Sequence, residues 1–237
     1  MPPEATAGAP VSVIVAARNE ADRIGATLDT LREAFPGAAL WVADDASTDG
    51  TSEVAMAHGA TVVSRGRPHG KGANVTAAAE ALLSEGEPSG VVLLCDGDLG
   101  ETAGRLAPLV EAVARGGCDL AIAAFARRVG GGFGVALGVS RWATERLGGV
   151  TLGAPISGQR AIRAGALAGL LPFARGYGME TAMNIDAARA GLRIRELELE
   201  LEHRATGRTL RGFVHRGCQL ADFLRVYLSR RFRRRGG

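Results

Sequence analysis

Five segments of this chain are predominantly apolar and of strand length: VSVIVAA (11–17), ALWVAD (39–44), ATVVS (60–64), GVVLLCD (90–96) and DLAIAAF (119–125). A strand that is apolar at every position, not at every second one, has both faces covered. That pattern belongs to parallel sheets packed between helices. The segments between the runs agree. In NEADRIGATLDTLREAF, Ile24, Leu28, Leu31 and Phe35 recur at helical spacing, and Pro36-Gly37 ends the pattern. A short helix up to His58-Gly59, a helix over 74–85 and a helix over 106–114 follow, and RGRPHGKG (65–72) reads as a loop. Alternation of this kind predicts an α/β fold: one Rossmann-like domain, a mostly parallel sheet with helices on both faces.

The second half reads differently. GGGFG (130–134) is a glycine loop, 135–149 a helix, ISGQRAIR (156–163) a short strand, and MNIDAARAG closes another helix at Gly191. LELELE (197–202) alternates strictly, the pattern of a strand with one wet face at a sheet edge. The expected division is a loose tail over 1–10, a first half over 11–125, a second half over 126–211 and a basic C-terminal helix over 212–237.

With 237 residues, 46% of them apolar, the chain is long enough for one large domain. No stretch approaches the roughly 18 consecutive apolar residues of a membrane-spanning helix. MPPEATAGAP lacks the basic start and apolar core of a signal peptide. Cys95, Cys118 and Cys218 have no metal or redox spacing. These features point to a cytoplasmic protein. The net charge is only +3, but the last fifteen residues hold Arg225, Arg230, Arg231, Arg233, Arg234 and Arg235 and no acid. With Phe223, Leu224, Tyr227 and Leu228 between them, they read either as a peripheral contact to an anionic membrane or as a solvated helix end. No nucleic-acid motif accompanies them. LELELE and the last helix are candidate homodimer surfaces.

Polar clusters follow the runs. ARNE (17–20), DDASTDG (44–50) and CDGD (95–98) each stand at the carboxyl end of a strand. Ligands of open parallel sheets bind at that edge. Asp96 and Asp98 are two apart, so in extended geometry their side chains share a face. A hard divalent cation, Mg²⁺ or Mn²⁺, with a diphosphate beyond it, makes the pair tolerable. The plainer alternative is two solvated turn acids, Asp98 capping the next helix. Lys71 is the sole lysine in an arginine-biased chain and sits inside Gly70-Lys71-Gly72. It reads as a phosphate or base contact, or as an ordinary loop lysine.

Together, VSVIVAARNE, VADDASTDGT, RPHGKGANV and LLCDGDL resemble the family 2 glycosyltransferases and relatives with the GT-A fold. ISGQRAIR, GYGMETAMNID and LEHRATGRT are similar to the acceptor halves of polyprenyl-phosphate glycosyltransferases and glucosyl-3-phosphoglycerate synthases. The resemblance implies metal-dependent transfer of a sugar from a UDP- or GDP-sugar to an acceptor, either a phosphate-bearing small molecule or a polyprenyl phosphate. It places Ala17, Arg18 and Glu20 at the base and ribose. Asp45 or Asp44 would accept from the base, beside Ser47. Lys71 and Gly72 would border the nucleotide, Asp96 and Gly97 would lie near the ribose, and Asp98 would ligate the metal with His203. Arg204, Arg208, Arg211 and Gly158 fall to the diphosphate or acceptor. Glu180 is the candidate base or acceptor-orienting group, or else a helix-start acid. The rival readings are a sugar nucleotidyltransferase and a non-catalytic membrane-surface scaffold of the same fold. The first expects a glycine-rich loop where AARNE stands, and the intact acids and Lys71 argue against the second. A dinucleotide oxidoreductase would need G-x-G-x-x-G at that turn.

Overall fold

The computed structural model describes residues 9–125, 134–201 and 222–231. Its first half alternates as β1 (Val11–Ala17), α1 (Ile24–Ala34), β2 (Ala39–Asp44), α2 (Thr51–Ala57), β3 (Thr61–Ser64), α3 (Lys71–Ser84) and β4 (Val91–Asp96). A 3₁₀ turn (Gly100–Leu106), α4 (Ala107–Ala114) and β5 (Leu120–Phe125) follow. The second half holds α5 (Gly134–Gly148), β6 (Arg160–Arg163), α6 (Leu167–Leu170), α7 (Met179–Arg189) and β7 (Ile194–Leu199). A last helix, α8, covers 222–231.

The strands form one seven-stranded sheet in the order β3-β2-β1-β4-β6-β5-β7. β1 pairs in parallel with β2 and with β4, β2 with β3, and β5 with β7. β6 is inserted antiparallel between β4 and β5. The expected α/β fold with a mostly parallel sheet is therefore present. The chain moves outward from β1 through β2 and β3, then returns to the other side of β1 for β4. That reversal opens a crevice at the carboxyl ends of β1 and β4.

The runs at β1, β2, β4 and β5 are buried on both faces, as their hydrophobicity requires, whereas β3, at the sheet edge, leaves Thr61 and Ser64 exposed. Val13, Val15, Leu93 and Cys95 pack with Ile24, Leu28 and Leu31 of α1 on one side. Ile14, Val92, Leu94 and Ile122 pack with Val75, Ala78 and Leu82 of α3 and Met183 of α7 on the other.

Three local expectations are corrected. The strand read at 156–163 begins only at Arg160, because the preceding residues form a loop pinned by side chains. The strand read at 197–202 is β7, Ile194–Leu199, an edge strand as expected but set earlier by its pairing from Leu120↔Ile194 to Phe125↔Leu199. Lys71 and Gly72 are not loop residues, since α3 starts at Lys71. Gly70 makes that entry with φ +82, a conformation that glycine adopts without penalty.

Candidate active site at the carboxyl edge of the sheet

Two clusters of acids meet at this edge. The first lies beyond β1 and β2 and is stitched by internal donors. Asp44 accepts from the backbone N–H of Ser47 at 3.2 Å, from the Ser47 hydroxyl, from Ser52 Oγ at 2.7 Å and from Ser64 Oγ at 3.2 Å. This holds Ala46 in a left-handed conformation, φ +56, which a residue with a Cβ rarely adopts. Asp45 accepts from the N–H groups of His69 and Gly70 and from the Asn74 side-chain amide. Arg18 reaches it at 3.5 Å, with about half of its side chain in solvent. Asp45 thus supplies a carboxylate to the start of α3 from far away in the chain, where helix N–H groups lack partners. The loops after the two strands are joined by Asn19 N–H to Ser47 Oγ, 2.9 Å, and Glu20 N–H to Thr51 Oγ1, 2.9 Å.

The second cluster lies beyond β4. Lys71 Nζ stands 2.6 Å from Asp96 Oδ1 and 3.2 Å from Glu180 Oε1. The packing around its ammonium opposes the charge, but the two carboxylates outweigh it and hold the pKa above the usual lysine range. Glu180 occupies the first turn of α7 and is buried, with only 7% of its surface exposed. Gly158 lies against this bridge, for a Cβ there would meet Lys71 Nζ at 2.5 Å and Asp96 Oδ2 at 2.8 Å.

The other expected residues divide. Ala17 ends β1, and Gly97 N–H donates to Ala16 O at 2.9 Å, while a Cβ at Gly97 would crowd Ile24 and Ala17. A Cβ at Gly72 would collide with the Ala174 carbonyl, so its smallness serves the approach of α3 to that segment. Asp96 is the last residue of β4 and Gly97-Asp98 form a turn, so the period-two rule does not relate the two acids. Arg23 Nη1 ties the turn down through the Asp98 carbonyl, 3.1 Å. His203, Arg204, Arg208 and Arg211 lie outside the described residues.

A cation suits the donor set at the end of β4. Among the described residues no group of three or more His, Cys, Asp or Glu forms a full cage. Asp96 and Asp98 offer hard oxygen donors, which fits Mg²⁺ or Mn²⁺, ions that take one or two carboxylates and complete their shells with water and substrate phosphate.

Sequence reasoning missed three residues here. Gln159 Nε2 donates to Asp96 Oδ2 at 3.1 Å. Arg160 is fully buried and binds only neutral acceptors: Ser157 O at 2.7 Å, Asn184 Oδ1 at 2.6 Å and Pro155 O at 3.0 Å. Burial lowers its pKa to about 10, against the opposing fields of Glu180 and Glu196. Asn184 donates to the same Pro155 carbonyl at 2.9 Å. Arg160 and Asn184 thus lock the loop before β6 to α7, the helix carrying Glu180. The one available signal was a glutamine and an arginine inside a stretch otherwise readable as a strand.

This geometry has known counterparts. The profile of glycosyl transferase family 2 matches residues 12–166. An undecaprenyl-phosphate mannosyltransferase of Micrococcus luteus is 32% identical over 213 residues, 83% of this chain and 85% of that protein. Solved structures of glucosyl-3-phosphoglycerate synthase from Mycobacterium tuberculosis superpose closely. Its complex with Mn²⁺, UDP and glucosyl-3-phosphoglycerate gives a TM-score of 0.73 at 30% identity, covering 95% of this chain and 81% of that one. Its complex with Mg²⁺ and UDP gives 0.75 at 29% identity, covering 95% and 80%. The matched profile, the curated relative and the superposed structures agree, and the chain belongs to glycosyl transferase family 2, a glycosyltransferase with the GT-A fold.

Proposed function

We propose that this glycosyltransferase moves a sugar from a UDP- or GDP-sugar to a phosphate-bearing acceptor, either a small molecule or a polyprenyl phosphate, with Mg²⁺ or Mn²⁺ at Asp98 and Asp96. The observation that carries the reading is the Lys71 bridge between Asp96 and Glu180 at the switch point of the sheet. It gathers a cation and two acids where a diphosphate and a reacting hydroxyl would meet. Both named relatives support the substrate class. One is a mannosyltransferase acting on undecaprenyl phosphate; the other was crystallised with Mn²⁺, UDP-glucose and phosphoglyceric acid.

On this reading the base and ribose lie over Ala17, Arg18, Glu20 and the loop of Asp44, Asp45 and Ser47. Asp44 and Asp45 are already engaged by several internal donors, so they shape this wall more than they read the base. Lys71 places positive charge beside the departing diphosphate, where fixed charge stabilises the transition state most. Glu180 is poised to accept or orient the acceptor hydroxyl. The bound metal would supply Lewis-acid stabilisation of the leaving group. Gly158 leaves room for the Lys71–Asp96 pair, and His203, Arg204, Arg208 and Arg211 are assigned to the metal and to the anionic acceptor.

The membrane is assigned to α8. Leu224 and Leu228, one turn apart, are each about half exposed, beside exposed Arg225 and Arg231. That is the face an anionic bilayer would take. Among the described residues no helix is long and apolar enough to cross a membrane.

The test is a binding titration with UDP and GDP, each with and without Mn²⁺, on the wild type and on Asp98→Ala. Metal-dependent binding of one nucleotide, lost in the variant, is expected. A protein that binds neither nucleotide overturns the reading. Transfer assays with 3-phosphoglycerate and with polyprenyl phosphate in anionic vesicles then separate the acceptors.

A further inference from the structure

Gln159 carries an observation that the proposed roles of Lys71, Asp96 and Glu180 leave unexplained. Only 2% of its surface is exposed, its amide nitrogen is committed to Asp96, and its Oε1 is buried without a hydrogen-bond partner among the described residues. The assignment of the two amide atoms follows from Asp96: a carboxylate accepts and does not donate, so the NH₂ group must face it and the carbonyl must face elsewhere. Two residues away, across Gly158, the Ser157 hydroxyl is also buried, 4% exposed, and also has no partner among the described residues. A buried acceptor left unpaired costs stability, and native chains rarely keep one without a use. Here two flank the glycine that touches the Lys71–Asp96 pair. The loop that carries them is fixed, with Glu196 accepting from the N–H groups of Gly153 and Ala154, and Arg160 donating to the carbonyls of Pro155 and Ser157.

The topology says which part of a substrate this loop meets. The wall assigned to base and ribose stands beyond β1 and β2, on one side of β4. Gln159 enters just before β6, on the other side of β4, and is linked through Asp96 and Lys71 to Glu180 of α7. A group seated there lies past the diphosphate, where the donor's sugar must be.

We propose that Gln159 and Ser157 form the sugar-reading element of the site: the Gln159 side-chain carbonyl accepts a hydrogen bond from a hydroxyl of the transferred sugar, and the Ser157 hydroxyl binds a second. This rests on the donor reading above and adds to it the residues that choose the sugar.

The experiment is calorimetric titration, with Mn²⁺, of UDP, GDP, UDP-glucose, UDP-galactose and GDP-mannose into the wild type, Gln159→Met and Ser157→Ala, with thermal melts of each free protein. Gln159→Met is expected to weaken the preferred nucleotide sugar about tenfold, the worth of one well-made hydrogen bond, while leaving the bare nucleotide within about twofold. Ser157→Ala deletes an unpaired buried hydroxyl, so the free protein should melt at the same or a higher temperature while its nucleotide-sugar affinity falls severalfold. A purely structural role predicts the opposite pairing, lower stability with unchanged binding. Equal loss of nucleotide and nucleotide sugar in both variants, or no loss in either, overturns the proposal. A wild type that binds no nucleotide at all defeats the donor reading, and this proposal with it.

Discussion

The two acid clusters at the sheet edge use their carboxylates in contrasting ways. Beyond β2, Asp44 and Asp45 are nearly filled by internal donors: hydroxyls of Ser47, Ser52 and Ser64, N–H groups of His69 and Gly70, and the Asn74 amide. A carboxylate has about four acceptor positions, and these two have used most of theirs. Beyond β4, Asp96 and Glu180 share one ammonium, and about a third of the Asp96 and Lys71 side chains is exposed. The first cluster is a set of staples that closes the loops. The second is a charge balance that an incoming cation or diphosphate can rearrange without dismantling the fold. On the proposed reading, acids of one type, two strand spacings or about 10 Å apart, belong to folding in one case and to chemistry in the other.

The largest expected effect breaks the comparison on the chemical side. Asp96→Ala should lower kcat/KM for sugar transfer about a thousandfold, roughly 4 kcal/mol of transition-state stabilisation. Its unfolding free energy should fall by only about 1–2 kcal/mol, because the ion pair is partly exposed and the main loss is the acceptor of the buried Gln159 amide. Steady-state kinetics and urea unfolding on the same preparation check both halves. A large stability loss would mean that Asp96 is a staple too.

Asp45→Ala should give the reverse profile. It orphans two N–H groups and one amide near the start of α3, and hydrogen bonds to a charged acceptor are worth about 1.5–3 kcal/mol each before relaxation. A stability loss of about 3 kcal/mol is expected, read as a lower urea midpoint at unchanged slope. Substrate affinity of the remaining folded protein should stay within about threefold of wild type, roughly 0.7 kcal/mol.

Gly158→Ala probes the second cluster from its β6 side. The added methyl would sit 2.5 Å from Lys71 Nζ and 2.8 Å from Asp96 Oδ2, so the bridge must give way. The displaced atoms are ends of flexible side chains, so stability should fall by about 1 kcal/mol. Transfer should fall about tenfold, about 1.4 kcal/mol, through misplacement of the ammonium. Kinetics beside thermal melts will show whether activity suffers more than stability.

The contrast also explains what was legible in the sequence. Buried parallel strands must be apolar throughout, so β1, β2, β4 and β5 stood out as runs. Acids placed directly after such runs are costly unless used, so Asp44, Asp45, Asp96 and Asp98 stood out with them. Lys71 was legible as a singular residue but not as a helix residue, because two flanking glycines suggest a loop and the helix start is completed by Asp45, 26 positions earlier. Gln159 and Arg160 were illegible for the same reason. Their meaning lies in Asp96 and Asn184, contacts 63 and 24 positions away along the chain, and local pattern carries no trace of them. The alternation in LELELE revealed an edge strand but not its register, which pairing with β5 sets.

The smallest effect uses a third acid as a control, at the opposite edge of the sheet. Asp119 precedes β5 and accepts from Arg163 Nε at 3.0 Å and from the backbone N–H and Nε of Arg193, each at 3.0 Å. These bonds, those from Arg193 first, hold its carboxyl well below the ordinary value of 3.8. A group whose pKa is depressed on folding contributes its stability above the unfolded value and loses it as pH falls toward the folded one. Stability from Asp119 should therefore be complete above about pH 5, begin to fade near pH 4 and keep falling below it. Asp119→Asn should flatten that part of the curve, a change of about 1 kcal/mol or less because both arginine partners are half exposed. Urea midpoints at pH 6, 4 and 3 for both proteins will reveal it. Nucleotide affinity at pH 7 should be unchanged, since Asp119 is a staple with no part in the crevice. If the variant weakened nucleotide binding, the division of the acids into folding acids and chemical acids would have to be abandoned.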